Sequence, residues 1–85
     1  MRYQILWGPI AEQLLAAIWL ASSDRNSIAH AAAWFDVQLA TNPLSLGESR
    51  SSSVHRVAFH GPIGIEFEVI EDDKRVIVRA VFAAG

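Results

Sequence analysis

Residues Val54 to Phe82 read VHRVAFHGPIGIEFEVIEDDKRVIVRAVF, and their alternation decides the fold. Three period-2 runs, 54–59, 63–70 and 75–82, are separated by His60-Gly61-Pro62 and by Glu71-Asp72-Asp73-Lys74. Apolar residues at every second position suit strands with one face against a core, because successive side chains point to opposite sides. Both separators are short and turn-like, so the runs are expected to pair as antiparallel hairpins. In the middle run Ile63, Ile65, Phe67 and Val69 form the buried set, and Glu66 and Glu68 project outward. In the last run Val76, Val78, Ala80 and Phe82 are expected inside, with Arg75, Ile77, Arg79 and Val81 outside. In the first, Val57 and Phe59 are expected inside and Arg56 outside. On this reading the open face carries Arg56, Glu66, Glu68 and Arg79 close together.

Upstream the texture differs. Leu44 to Ser53, with Gly47 and the triplet Ser51-Ser52-Ser53, reads as an exposed loop. Before it, Ile28, Ala32, Phe35 and Leu39 repeat at helical spacing until Asn42-Pro43 stops the pattern. An earlier helix opens at Pro9, a favoured first position, and carries Ile10, Leu14 and Ile18 with Ala11, Leu15 and Ala21 before Ser22-Ser23. Arg2 to Trp7 alternates as a short opening strand. The expected class is α+β in the order β-α-α-β-β-β, an antiparallel sheet with a helical hairpin packed on one face. That arrangement leaves the other face open to solvent or to a partner.

With 85 residues there is room for one core, so residues 1–85 are read as one domain. Cysteine is absent, which removes disulfides and thiolate zinc sites, and apolar packing has to hold the fold. The composition suits that, with 52% hydrophobic and 19% charged residues. The net charge of −2 disfavours autonomous binding to phosphate backbones. Five of the seven basic residues lie in the second half, where acidic residues match them. The opening segment lacks the continuous apolar stretch of a signal peptide, and the run Leu14 to Ala21 is too short to span a bilayer. A cytoplasmic protein without a membrane partner is expected.

A further set of residues stands in a telling order. Pro9 and Ala11 follow the opening strand; then come the helical hairpin, the stretch Leu39-Ala40-Thr41-Asn42-Pro43-Leu44-Ser45-Leu46-Gly47, Arg50, a strand beginning near Arg56, and the tail Phe67 to Val78. Taken together over nearly the whole chain, they resemble the RelE/ParE toxin superfamily of type II toxin–antitoxin systems, also described as plasmid-stabilisation proteins. The resemblance implies a toxin neutralised by a cognate antitoxin, an extended or helical segment laid over the helical hairpin or a sheet edge. RelE-like members cleave mRNA in the ribosomal A site, using basic residues on the open sheet face and a tyrosine or histidine near the C-terminus. ParE-like members lack that set and act on DNA gyrase. This sequence departs from the cleaving pattern: its tail, Val81-Phe82-Ala83-Ala84-Gly85, has no histidine or tyrosine, Glu66 and Glu68 stand where an arginine often projects, and the chain is acidic.

Metal-free RNA cleavage needs a base for the 2′-hydroxyl and cations for the developing phosphorane charge. Arg50, Arg56 and Arg79 are the catalytic candidates, with Glu48, His55 or His60 as the base. The plain alternative is that Arg56 and Arg79 flank Glu66 and Glu68 in a cross-strand ion-pair ladder, and that Arg50 is a solvated loop residue. His30, His55 and His60 stand at no metal-ligand spacing, so no metal or cofactor is expected. From Leu14 to Leu20 the first helix is apolar nearly all round, so one flank faces the sheet and another meets the second helix or a partner. Leu15, Trp19 and Trp34 are accordingly the partner-binding candidates. A third reading is a non-toxic, repurposed relative that self-associates as a homo-oligomer.

Overall fold

The computed structural model describes residues 2–50, 52 and 54–84; Met1, Gly85, and Ser51 and Ser53 of the serine triplet lie outside them. Gln4–Trp7 (β1) leads through Gly8 into the helix Pro9–Ala21 (α1), which begins on its proline as the sequence suggests. The chain leaves α1 at Ser22, and its exposed carbonyls are met by Arg25, which donates from Nε to Trp19 O (3.1 Å) and from Nη2 to Leu20 O (3.2 Å). A cation there also suits the negative end of the helix dipole. The helix Arg25–Thr41 (α2) starts from Asp24, whose carboxylate accepts from the backbone N–H and the hydroxyl of Ser27. These bonds hold the Asp24 carboxyl below its ordinary value.

After a 3₁₀ turn at Pro43–Ser45 come Glu48–Ser49 (β2), His55–His60 (β3), Ile63–Ile70 (β4) and Arg75–Ala83 (β5). They form one five-stranded sheet in the order β1-β5-β4-β3-β2, with β1 parallel to β5 and the other pairs antiparallel. The short β2 arises inside the stretch expected as loop. Gly47, at φ +69°, turns the chain so that Glu48 and Ser49 pair with Val57 and Arg56, and two residues are too few to show alternation.

Helices α1 and α2 cover one face of the sheet. Phe35 and Leu39 of α2, Ala11 of α1, and Ile63, Ile65, Phe67, Val76 and Val78 from the strands are fully buried there. Helix α2 also ties down β1: Trp7 Nε1 donates to Asp36 Oδ1 (2.8 Å) and the Tyr3 amide donates to Ala40 O (2.8 Å). The β4 alternation is as expected, but two corrections follow for its neighbours.

The β3–β4 turn contains only Gly61 and Pro62, because His60 pairs with Ile63. Residues paired directly across antiparallel strands share a face. Arg56, Ala58 and His60 therefore stand on the helix-covered side with Phe67, Ile65 and Ile63, while His55, Val57 and Phe59 stand on the open side. This reverses the expected faces of Arg56 and Phe59. Val57 is buried, but on the open side and outside the main core.

The second correction is a β-bulge. Glu66 pairs with Ala80 but Phe67 pairs with Val78, so Arg79 is the extra residue of β5. Beyond it the faces exchange: Val81 enters the core opposite Ile65, and Ala80 and Phe82 turn to the open side, where they had been expected inside.

Candidate functional site

On the open face, β3, β4 and β5 bring three polar side chains together. Arg79 donates from Nη2 to Glu68 Oε1 at 2.6 Å. The other carboxylate oxygen of Glu68 lies 3.7 Å from His55 Nε2, and His55 Nδ1 lies 3.2 Å from Ser52 Oγ. The Arg79 hydrogen bond, with the positive charge of Arg79 adding to it, holds the Glu68 carboxyl below its ordinary value despite partial burial. Glu68 is therefore an anion near neutral pH, and the charge of Arg79 is largely spent on it. The remaining described carboxylates of this face, Glu48 and Glu66, are exposed and enter no hydrogen bond or ion pair.

The other two candidate cations stand elsewhere. Arg56, on the opposite side of the sheet, clamps the loop before β2: its Nε donates to Leu46 O (2.8 Å) and its Nη2 to Gly47 O (2.9 Å). A guanidinium suits this because its fixed fork reaches two carbonyls at once. Arg50 is exposed beyond β2, where its backbone amide donates to His55 O at 2.7 Å. Arg56 and Arg79 thus face opposite sides of the sheet and cannot approach one phosphate together. Of the candidate bases, His60 is stacked flat on Trp34 with ring centroids 3.8 Å apart, on the covered side, and His55 is the one oriented by neighbours on the open face. Among the described residues no group of His, Cys, Asp and Glu is arranged to hold a metal ion.

The partner-binding candidates divide as well. Leu15 and Trp19 line a groove of about 480 Å³ between α1 and α2, with Ala16, Ile28, Ala29 and Ala32 completing it and Glu12 at its margin. Trp19 is 40% exposed and lies under the guanidinium of Arg25, 4.6 Å from the ring centroid. Trp34 does not line this groove; it is held between His60 and an edge contact with Phe35. The α1 surface outside the groove is apolar too, with Ile10, Leu14 and Leu20 exposed.

Sequence reading missed one open-face feature. Phe59 and Phe82 meet edge to face at 5.5 Å, and Gly64 lies directly beneath them. A β-carbon at Gly64 would fall 2.5 Å from the Phe82 ring and 2.7 Å from the Phe59 ring, so the rings fill the space its missing side chain leaves. Gly64 standing between Ile63 and Ile65 inside a strand was the available signal, since a strand glycine often marks such an approach.

No protein-family model matches the chain, and no curated protein matches it in sequence. Among solved structures it is similar to a chain of the toxin–antitoxin complex RelBE2 from Mycobacterium tuberculosis. The TM-score is 0.79 at 16% sequence identity, over 99% of this chain and 93% of that one. The likeness establishes a RelE-like fold, as the sequence implied.

Proposed function

We propose that this chain is the toxin component of a type II toxin–antitoxin module, held inactive in the cytoplasm by a cognate antitoxin and acting on translation or on DNA gyrase. The observation that carries the proposal is the RelE-like fold with an open apolar groove between α1 and α2. A structural neighbour belongs to a toxin–antitoxin complex, and the groove exposes Leu15 and Trp19 where a helical or extended segment can bury them. The antitoxin would seat there, with Trp19 as an anchor. For the action of the freed toxin, the geometry favours binding to a protein over cleavage of RNA. Arg56 is committed to the Leu46–Gly47 carbonyls and Arg79 to Glu68, and two further glutamates stand on the face that would have to accept phosphates.

The test is to induce the chain alone in a bacterial host, then together with the product of the adjoining gene. Growth arrest relieved by co-expression, and not relieved when Trp19 is replaced by Ala, is the expected result; normal growth on induction would refute the toxin reading and leave the repurposed, self-associating relative. The ribonuclease reading has one observation in its favour, the arrangement of His55 between Ser52 and Glu68 beside Arg79. Mapping of mRNA 5′ ends after induction separates the two. Intact messages during arrest are expected, whereas new ends at a fixed codon position, lost in Arg79→Ala, would establish cleavage.

A further inference from the structure

The open face of the sheet is ordered in rows. Phe59, Gly64 and Phe82 pair across β3, β4 and β5, and one same-face step along the strands lie Glu48, Val57, Glu66 and Ala80, paired across β2 to β5. Same-face neighbours on a strand are about 7 Å apart along the backbone, which sets the spacing between the aromatic row and the row that carries the two glutamates. Phe59 is 60% exposed at the surface of the platform. Neither Glu48 nor Glu66 has a polar partner among the described residues, and the nearby cation, Arg79, is already bound to Glu68. Gly64 leaves the space that the two edge-to-face rings fill, and Val57, the residue between the two glutamates across the strands, has a side chain too short to stand between their carboxylates.

We infer that this face is a docking surface for an extended, cationic segment of a protein partner, which places an apolar side chain on Phe59 and Phe82 and a Lys or Arg between Glu48 and Glu66. The spacing matches the ligand as well as the site. In an extended chain, residues i and i+2 point the same way and are also about 7 Å apart, so an apolar residue followed two positions later by a basic one meets both rows. The charge sign selects against nucleic acid, whose phosphates would be brought against two unneutralised carboxylates. The surface is separate from the α1–α2 groove and does not depend on what occupies it.

The experiment uses the full chain and a fluorescein-labelled eight-residue peptide, in which Phe and Lys alternate along one face with Thr on the other. Two comparison probes are used: the same peptide with Glu in place of Lys, and an eight-nucleotide single-stranded RNA. Anisotropy titrations at low salt should show saturable binding of the Lys peptide, weakened about threefold for each of Glu48→Gln and Glu66→Gln. Binding should fall by at least as much in Phe59→Ala, whose exposed ring can be removed without opening the core, as unchanged far-ultraviolet circular dichroism would verify. Raising the salt should weaken it further. Absence of Lys-peptide binding, equal or tighter binding of the Glu peptide or the RNA, or full affinity in the Glu48→Gln, Glu66→Gln double variant would each overturn the inference. None of these results bears on antitoxin capture by the helical groove, which is read by co-expression.

Discussion

Replacing Gly47 by Ala tests the least forgiving point of the structure. Gly47 sits at φ +69°, a left-handed conformation that costs an L-residue about 1 kcal/mol. Its missing β-carbon would lie 2.1 Å from the carbonyl oxygen of Val57 and 2.8 Å from the β-carbon of Ala58. Both obstacles belong to β3, and one is backbone, so no side-chain rotation relieves them. The chain must move away, which separates β2 from β3 and pulls the Leu46 and Gly47 carbonyls off Arg56. Two hydrogen bonds to a charged donor, each contributing about 1 kcal/mol or more net, are then at risk. The expected total is about 3 kcal/mol. Gly61→Ala supplies the internal standard, because Gly61 also has a positive φ (+59°) but its β-carbon would meet only Ala31 Cβ at an ordinary 3.8 Å. That substitution should cost about 1 kcal/mol, the conformational part alone. Urea unfolding of the two variants, compared at equal m-value, measures the difference. If Gly47→Ala were no less stable than Gly61→Ala, the tight packing of the Gly47 turn on β3 and the clamp built on it would be refuted.

Three other outcomes are expected. Arg56→Lys should destabilise nearly as much as Arg56→Ala, by about 1–2 kcal/mol in urea melts, because an ammonium cannot fork to two carbonyls; full stability in the Lys variant would contradict the clamp. Trp34→Ala should lower stability by about 2–3 kcal/mol through loss of the His60 and Phe35 contacts, whereas Trp19→Ala, more exposed, should cost under about 1 kcal/mol and show itself in failed antitoxin capture. For Glu68 the folded-state pKa is depressed, so its contribution is present above the unfolded value and lost as pH falls through the folded one. Wild type should therefore exceed Glu68→Gln in stability by up to about 1 kcal/mol near pH 7 and lose that advantage as acid protonates the Glu68 carboxylate, as pH-dependent melts would show; an advantage that persisted after protonation would rule out the ion pair as its source.

Much of this molecule was readable because it follows simple periods. Both helices begin and end at chemical punctuation, Pro9, Ser22, Asp24 and Asn42, and the β4 alternation from Ile63 to Val69 is unbroken, so the element order and the central strand's faces were legible. What failed was register, to which alternation is blind. Counting His60 as part of the turn leaves β3 free to follow hydrophobicity, which favours Val57 and Phe59 inside. Counting Gly61-Pro62 alone binds His60 to Ile63 and forces the opposite choice. Gly61 at positive φ followed by proline is the sequence of a two-residue hairpin turn, so that signal was present. The bulge at Arg79 had no comparable signal: nothing in Val78-Arg79-Ala80-Val81 marks an extra residue, and its position is fixed by packing Val78 and Val81 together into one core.

The two register events act in the same direction on the chemistry of the sheet. Each turns an aromatic ring outward, Phe59 by the hairpin and Phe82 by the bulge, and the hairpin also carries Arg56 to the covered side. Of the two arginines expected close beside Glu66 and Glu68, Arg79 stands there, bonded to Glu68, and Arg56 does not, while Glu48 and Glu66 remain bare around an aromatic platform. Returning Arg56 to the open face would take a one-residue slip of β3, and that slip would also expose Ala58 and lift His60 from Trp34. The sign of this surface is therefore coupled to the packing of the core. A phosphate-binding face could not be restored by local adjustment without giving up contacts that hold β3 in place.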